Sequence, residues 1–345
     1  MTLVNPNRTG RRRPARLLRG AALAAVLGAT SLAAAATAAP GPSDQGLIAF
    51  EHRDFFPGTT EPGPGQLQTM APDGTGLRTI TSGNDDEGPE LSPDGRNVVF
   101  TRCVDAVNCD QEFTVDIWIA RSDGSRAHPL TSCADHTCLG NFGASFSPDG
   151  RRVWFTRDQL ENGVNHNGIF VMRTDGTGMH RITDAGDVDV DEGPQVSPDG
   201  KRVVFTREAD GGEPHMMLMN VDGSGLRALL PDVVAANPDW SPDGRRIAFQ
   251  EQVFTDTTGV VNVGVVDADG SHFGRLVEGA QNERFVFQPA WSPDGRQLAY
   301  GLSDEGHCDL FRIGLRPPRP AGIIHDQDGC NVNPSWSRSP RAGDD

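Results

Sequence analysis

The sequence predicts an all-β fold, a six-bladed β-propeller with four-stranded blades, and two repeated patterns lead to this prediction. The tetrapeptide Ser-Pro-Asp-Gly occurs five times, and its serines are Ser92, Ser147, Ser197, Ser241 and Ser292. Between these copies lies a second Asp-Gly pair flanked by apolar runs, as in "LQTMAPDGTGLRTIT". The serines are 44 to 55 residues apart, a period that is typical of propellers and solenoids.

Each period is predicted to contain four short strands joined by turns. Proline presets φ for the second position of a turn, and glycine accepts the positive φ that a later position requires. The strand after Ser-Pro-Asp-Gly is apolar at consecutive positions, as at Val98, Val99 and Phe100. Such a strand must be covered on both faces, which stacked blades achieve.

The two ends of the repeat region predict how the ring closes. Leu47 to Phe50 match the strand that follows Ser-Pro-Asp-Gly but have no partner before them. Pro334 to Ser337 match the strand that precedes the motif, and no turn follows them. We expect these segments to pair, so that a C-terminal strand completes the first blade and leaves no free inner edge.

The repeats "NPDWSPDGRRIAF" and "IFVMRTDGTGMHRIT" resemble those of the TolB-type WD40-like β-propeller family. The resemblance covers roughly residues 44 to 340. It implies the propeller without the N-terminal α/β domain of TolB, because about seven residues separate the predicted leader from the first strand. The resemblance therefore does not imply a direct Tol-Pal role.

The first 38 residues predict a secretory signal peptide, since six arginines precede an alanine-rich run that ends in Ala36-Thr37-Ala38. An uncleaved anchor is the alternative, but the run is too short and too weakly apolar for a typical span. The expected organisation is a leader over 1–38, a linker over 39–45, the propeller over 46–340 and a tail over 341–345. A secreted, periplasmic or cell-envelope protein with no membrane span after cleavage is predicted.

The predicted mature chain is strongly acidic. Removing six arginines from 31 basic residues leaves 25 against 47 acidic ones, a formal net charge of -22. Nucleic acids and anionic membrane surfaces are recognised through basic patches, so neither is an expected partner. We expect a monomer that binds a protein, a peptide or an envelope polysaccharide.

Six cysteines in an exported chain predict disulfides. Cys308 and Cys330 are expected to pair and brace the C-terminal strand, although His307 and His325 allow a zinc site to be drawn there. For the other four, three pairings stay open: Cys103, Cys109, Cys133 and Cys138.

The repeats predict two unlike faces. Both Asp-Gly turns of every unit fall on one face, which we call the turn face; the variable connections fall on the opposite loop face, where specificity can lie. The residue two before each repeated serine should point into a central channel. Candidate ligand-binding residues on these inner strands and at the channel mouth are Glu90, Gln195, Asn237, Asp239 and Asn333.

Two acidic loops, Asn84 to Pro89 and Asp187 to Pro194, are candidate cation sites or patches for a basic partner. Asp189 and Asp191 are the candidate metal ligands, with Ca²⁺ as the ion. The alternative is structural, because folding the hairpin back on itself sets Glu87 opposite Arg102 and Glu192 opposite Arg207.

The sequence lacks the GxSxG, HExxH, P-loop and GxGxxG patterns, so no catalytic residue or other cofactor is assigned. The predicted function is a non-enzymatic binding or scaffold protein that uses the loop face and channel mouth. The alternative is a secreted polysaccharide lyase or glycoside hydrolase with dispersed catalytic residues.

Overall fold

The computed structural model describes residues 46–56, 63–81, 84–103, 115–133, 138–186, 188–254, 259–279, 284–304, 307–315, 318, 320–324 and 329–338. They belong to one compact unit, Asp44–Asp345. These residues form strands and turns and contain no helix, so none of their segments is a helix long and apolar enough to span a membrane.

The strands of this part of the chain are short and follow one another in hairpins. In chain order they are β1 (Leu47–Asp54), β2 (Gln66–Met70), β3 (Arg78–Thr79), β4 (Asp86–Leu91), β5 (Asn97–Cys103), β6 (Val115–Arg121), β7 (His128–Pro129), β8 (Cys138–Phe146), β9 (Arg152–Glu161), β10 (Val164–Arg173), β11 (His180–Arg181), β12 (Val190–Val196), β13 (Arg202–Glu208), β14 (Pro214–Asn220), β15 (Arg227–Ala228), β16 (Ala235–Trp240), β17 (Arg246–Phe254), β18 (Gly259–Asp267), β19 (Gly274–Val277), β20 (Arg284–Val286), β21 (Ala290–Trp291), β22 (Gln297–Asp304), β23 (His307–Gly314), β24 (Pro320–Ile324) and β25 (Gly329–Ser337).

The prediction of six four-stranded blades is wrong. The described residues form four four-stranded blades, β4–β7, β8–β11, β12–β15 and β16–β19, and one nine-stranded sheet. In the larger sheet β23 pairs in parallel with β25 at Cys308 and Cys330, and β25 also pairs antiparallel with β1. The strands expected to form two further blades are therefore hydrogen-bonded into one sheet.

The C-terminal strand β25 lies beside the first strand. Leu47 pairs with Ser337, Ile48 with Trp336 and Ala49 with Ser335. The inner strands β4, β8, β12, β16, β21 and β25 contact one another in that order, and β25 contacts β4. They enclose the central channel.

The apolar core lies between neighbouring sheets. The second strands of the repeats carry phenylalanines at one shared position, each with no exposed surface: Phe50, Phe100, Phe155, Phe205 and Phe249. Val98 and Val99 on β5 are equally buried. The consecutive apolar residues thus pack on both faces of their strands, as the sequence predicts.

Each Ser-Pro-Asp-Gly segment is a hydrogen-bonded turn. In the first copy the Ser92 hydroxyl donates to Asp94 at 2.6 Å, and the Arg96 amide donates to the same carboxylate oxygen at 3.1 Å. The Gly95 amide closes the turn on the Ser92 carbonyl at 2.8 Å. The same contacts recur in the four later copies.

The turns also pack against one another. A Cβ placed on Gly244 would lie 3.6 Å from the Pro198 ring, and one on Gly295 would lie 3.6 Å from Pro242. The first turn has a different neighbour, because a Cβ on Gly95 would lie 2.0 Å from the Arg338 carbonyl oxygen. The end of β25 therefore occupies the place where a preceding turn would lie.

Alanine substitutions at two of these glycines distinguish the cost of a left-handed backbone from the cost of a Cβ clash. Gly200 has φ of +71° and an open surrounding, so Gly200→Ala is expected to cost about 1 kcal/mol of unfolding free energy through the left-handed backbone alone. Gly95 has the same φ but abuts Arg338, so Gly95→Ala should cost clearly more. Urea unfolding of both variants measures the difference, and equal losses would show that the end of β25 is not fixed on this turn.

Two disulfides link described residues, Cys133–Cys138 and Cys308–Cys330. Cys103 is also disulfide-bonded, and Cys109 lies outside the described residues. Because Cys308 is oxidised, it cannot serve as a zinc thiolate; His325 lies outside the described residues.

The two bridges should differ in their effect on stability. The paired cysteines are 22 residues apart in Cys308–Cys330 and 5 apart in Cys133–Cys138. Loop-closure entropy then predicts a loss of about 3 kcal/mol for the Cys308→Ala, Cys330→Ala pair and about 2 kcal/mol for the Cys133→Ala, Cys138→Ala pair. Urea unfolding of the two double variants tests this order, which a larger loss for the shorter loop would contradict.

Candidate binding site at the channel and loop face

The aspartates of the turn face hold their own turns together. The Ser147 hydroxyl and the Arg151 amide both donate to Asp149, and these hydrogen bonds keep the pKa of that carboxyl below its usual range. In the second type of turn, the Thr75 hydroxyl and amide donate to Asp73 at 2.6 and 3.0 Å. These carboxylates have a structural role on the turn face.

A bulge recurs in five inner strands and sets their register. It lies four residues before the repeated serine or its counterpart, and its residue has φ between +51° and +62°. These residues are Gly88, Gly143, Gly193, Asn237 and Asn333. Two residues then oppose one on the next strand, so every side chain beyond the bulge changes partner.

The bulge overturns the predicted ion pairs of Glu87 with Arg102 and of Glu192 with Arg207. Asp86 pairs with Arg102 instead, through two hydrogen bonds of 2.6 and 2.8 Å. The Asp191–Arg207 pair has the same two distances. Both aspartates are fully buried, and paired charges are what a buried carboxylate requires.

The candidate metal ligands Asp189 and Asp191 are therefore used differently. Both oxygens of Asp191 bind Arg207, and the Thr183 hydroxyl donates to one of them at 2.7 Å. Asp189 is partly exposed and accepts the Asp210 amide at 3.2 Å. Among the described residues no three His, Cys, Asp or Glu side chains are grouped to hold a metal ion, and Asp187 lies outside them.

Two carboxyl groups on different inner strands influence each other across the channel. Glu90 on β4 and Asp239 on β16 are partly exposed. Burial and the Asp239 charge raise the pKa of Glu90 to about 8, against the opposing hydrogen bond from Ser335. Burial also raises the pKa of Asp239 to about 7, although the Trp291 amide donates to it at 2.7 Å.

Glu192 is the third inner-strand carboxyl of this kind. The bulge turns it away from Arg207, since its register partner is Thr206. Burial and the charges of Asp158, Glu208 and Asp191 raise the pKa of Glu192 to about 7. At neutral pH these three carboxyls are therefore only partly ionised.

The other candidate residues line the same strands. The Gln195 side chain is partly exposed, and its backbone carbonyl accepts the Trp240 indole N–H at 3.1 Å. Asn237 is exposed at its bulge and donates to the Gln250 side chain. Asn333 donates to Glu51 at 3.0 Å, so it links the C-terminal strand β25 to β1.

Arg53 on β1 is a charged residue that sequence reasoning missed. It forms ion pairs with Glu51, Asp85 and Glu87, the first two at 2.6 and 2.8 Å. Burial alone would lower the pKa of Arg53, but these carboxylates raise it. Its partners lie on β1, on β4 and in the connection before β4, so no local motif marks the cluster. A basic residue near the end of β1 was the available signal.

Comparison with known proteins finds similar sequences and similar folds. Residues 133–287 match the family model described as the TolB beta propeller domain. An 85-residue segment is 35% identical to the Tol-Pal system protein TolB of Zymomonas mobilis, covering 24% of this chain and 17% of that protein. Over this segment the chain is similar to TolB-type β-propellers.

Solved structures share the fold of this TolB-type propeller. TolB from Acinetobacter baumannii superposes with a TM-score of 0.66 at 22% identity, over 86% of this chain and 68% of that one. An oligogalacturonate lyase from Vibrio parahaemolyticus gives 0.51 at 13% identity, over 81% of this chain and 80% of that one. The same architecture thus occurs in a TolB and in a lyase, and function must be argued from the site.

The carboxyls of the TolB-type propeller's channel should make its stability depend on pH. Folding raises the pKa of Glu90 and Asp239 above their ordinary values of 4.5 and 3.8. Their protonated forms are therefore favoured by folding, and this contribution is complete below about pH 4 and lost as pH rises through about 7 to 8.

Neutral variants test this dependence. Glu90→Gln with Asp239→Asn should be about 2 kcal/mol more stable than the unmodified chain at pH 9, a value reduced by the solvent that reaches both groups. Urea unfolding from pH 5 to 9 measures the free energy of unfolding at each pH, and Asp232→Asn at an exposed position is the control. If the unfolding free energy of the double variant and of the unmodified chain changed equally between pH 6 and 9, the raised pKa values of Glu90 and Asp239 would be ruled out.

Proposed function

We propose that this chain is an exported TolB-type propeller that binds a protein, peptide or cell-envelope ligand through its loop face and channel mouth. The leader predicted over 1–38 and the disulfides among the described residues support export. The hydrogen-bonded turns occupy the opposite face, which favours the variable connections as the binding surface.

One observation defines the chemistry of the ligand. Asp86 and Asp191 each bind an arginine through both carboxylate oxygens. Burial raises the pKa of Glu90, Glu192 and Asp239, and no cation among the described residues offsets this. A ligand cation beside such a carboxyl supplies the missing opposite charge and lowers its pKa. We therefore propose a ligand that presents a lysine, an arginine or another organic cation.

The polar residues of the inner strands complete the proposed site. Gln195, Asn237 and Asn333 carry amides that can accept or donate hydrogen bonds to a peptide backbone. Together with Glu90 and Asp239, they would offer both uncharged and ionisable groups to the ligand. This combination favours an extended polar segment over a compact apolar ligand.

Similarity to the Tol-Pal system protein TolB does not by itself support a role for this chain in a Tol-Pal system. The matched segment spans 17% of that protein, and the fold-level likeness of the solved structures concerns the propeller. The binding role is therefore proposed from this chain's own carboxyls.

Binding of defined basic peptides tests the proposal. A panel of lysine- and arginine-containing peptides should bind at low salt, and the same peptides with glutamine at the basic positions should not. Glu90→Gln, Glu192→Gln, Asp239→Asn together should weaken binding at least tenfold, about 1.4 kcal/mol. The control carries the same charge change on the turn face, as Asp175→Asn, Asp222→Asn and Asp269→Asn.

Calorimetry in buffers of different ionisation enthalpy supplies a second readout. A cation that lowers a carboxyl pKa from about 7 or 8 must release protons near neutral pH, so the observed enthalpy should depend on the buffer. Equal weakening in both triple variants, or binding without proton release, would argue against this site.

A further inference from the structure

The Cys133–Cys138 disulfide lies against a buried polar side chain. The Asn141 amide nitrogen donates to Cys133 Sγ at 3.1 Å and lies 3.8 Å from Cys138 Sγ. Asn141 has no exposed surface, and the two cysteines are 7% and 4% exposed. A sulfur that accepts an N–H is better placed to carry negative charge than a sulfur in an apolar setting.

The second disulfide has the contrasting environment. Cys308 and Cys330 belong to a small apolar cluster with Val332, against which Phe55 and Phe287 pack. They also join β23 to β25 within the nine-stranded sheet. One molecule thus contains a bridge in a polar site and a bridge in an apolar one.

Comparison with the other repeats explains why Asn141 can donate a hydrogen bond to the disulfide. Asn141 occupies the position of Asp86 and Asp191, six residues before the repeated serine. Its amide oxygen still accepts an arginine, since Arg157 Nη1 donates to it at 2.9 Å. A carboxylate can only accept, whereas the amide also has two N–H groups that can face the sulfur.

The charged groups around the amide lie on the two neighbouring strands. Arg157 on β9 is positive and 6% exposed, and it polarises the Asn141 amide through the hydrogen bond to its oxygen. Asp116 on β6 accepts the same amide nitrogen at 2.9 Å and the Thr131 hydroxyl at 2.8 Å. The Asp116 carboxylate would repel a nearby thiolate, and the hydrogen bonds from Asn141 and Thr131 offset part of that repulsion.

We propose that Cys133–Cys138 is a redox-active disulfide that exchanges with an external dithiol, with Cys133 as the leaving thiolate. Because Cys138 is 4% exposed, the start of β8 must first open locally to admit the reagent. A thiolate of the dithiol then attacks Cys138 Sγ, which breaks the Cys133–Cys138 bond and forms a mixed disulfide. The electron pair remains on Cys133 Sγ, where the Asn141 N–H stabilises it, and a better-stabilised leaving thiolate departs faster.

The second thiol of the dithiol then completes the exchange. As its thiolate it attacks the sulfur bonded to Cys138, so the dithiol becomes a disulfide and Cys138 is released as a thiolate. Two electrons and two protons pass from the dithiol to Cys133 and Cys138 in total. Cys138 is the first residue of β8, so the redox state determines whether this strand is tied to the residue five positions earlier.

Redox titration of the intact protein tests the proposal. The chain is equilibrated with a series of reduced-to-oxidised dithiothreitol ratios, quenched with an alkylating reagent and digested, and each cysteine pair is quantified by mass spectrometry. We expect the equilibrium constant for reducing Cys133–Cys138 to exceed that for Cys308–Cys330 at least tenfold, about 30 mV. An equal or smaller constant for Cys133–Cys138 overturns the proposal.

The Asn141→Ala variant separates a hydrogen-bond effect from loss of fold. Losing the donor should make Cys133–Cys138 several-fold harder to reduce and leave Cys308–Cys330 unchanged. General destabilisation would instead make both bridges easier to reduce, so an increase for Cys133–Cys138 counts against the proposal.

Should this variant fail to fold, the pH dependence of alkylation in the reduced unmodified chain decides. Cys133 should react at a lower pH than Cys308, because thiolate is the reactive form. Coincident profiles would contradict a stabilised Cys133 thiolate.

Discussion

The left-handed residue four positions before the repeated serine is the constraint on which the inner strands depend. At this position Gly88, Gly193 and their counterparts have positive φ, which glycine adopts without a Cβ clash and asparagine tolerates. The bulge moves the pairing by one residue, so a buried carboxylate meets the arginine and its neighbour does not. The same backbone feature therefore builds the ion pairs and leaves Glu192 without an arginine partner in the ladder.

The contacts that close the ring differ from the contacts between successive repeats. Successive turns pack proline against glycine, but the first turn meets the end of the last inner strand, which places the Arg338 carbonyl beside Gly95. Its other edge reaches β23 through the Cys308–Cys330 position. The C-terminal strand thus contacts the first repeat through its backbone and the last one through a covalent bridge, and this double attachment converts two expected blades into one sheet.

The strands, the turns and the pairing of Leu47 with Ser337 follow from local patterns, because apolar runs and Asp-Gly pairs act over a few residues. The blade count failed because the parallel pairing at Cys308 and Cys330 joins segments 22 residues apart. The channel carboxyls were accessible to prediction, since alternation in a strand fixes which side Glu90 takes. The ion pairs were not, because they depend on a bulge that a plain hairpin register ignores; glycine or asparagine at a fixed place in five inner strands was the unused signal.

Because equivalent positions in the other copies have the same backbone geometry, the effect of a different residue at one copy can be compared directly. Asp86, Asn141 and Asp191 occupy one position, and each accepts an arginine from the adjoining strand. With carboxylates the result is an ion pair in which both oxygens bind the arginine, and the position has no N–H to donate. With an amide the arginine is bound by one oxygen only, and the remaining N–H groups reach Asp116 and Cys133. Exchanging one oxygen for nitrogen therefore leaves the frame intact and changes which group the position serves, which is how a uniform scaffold acquires a local chemical identity.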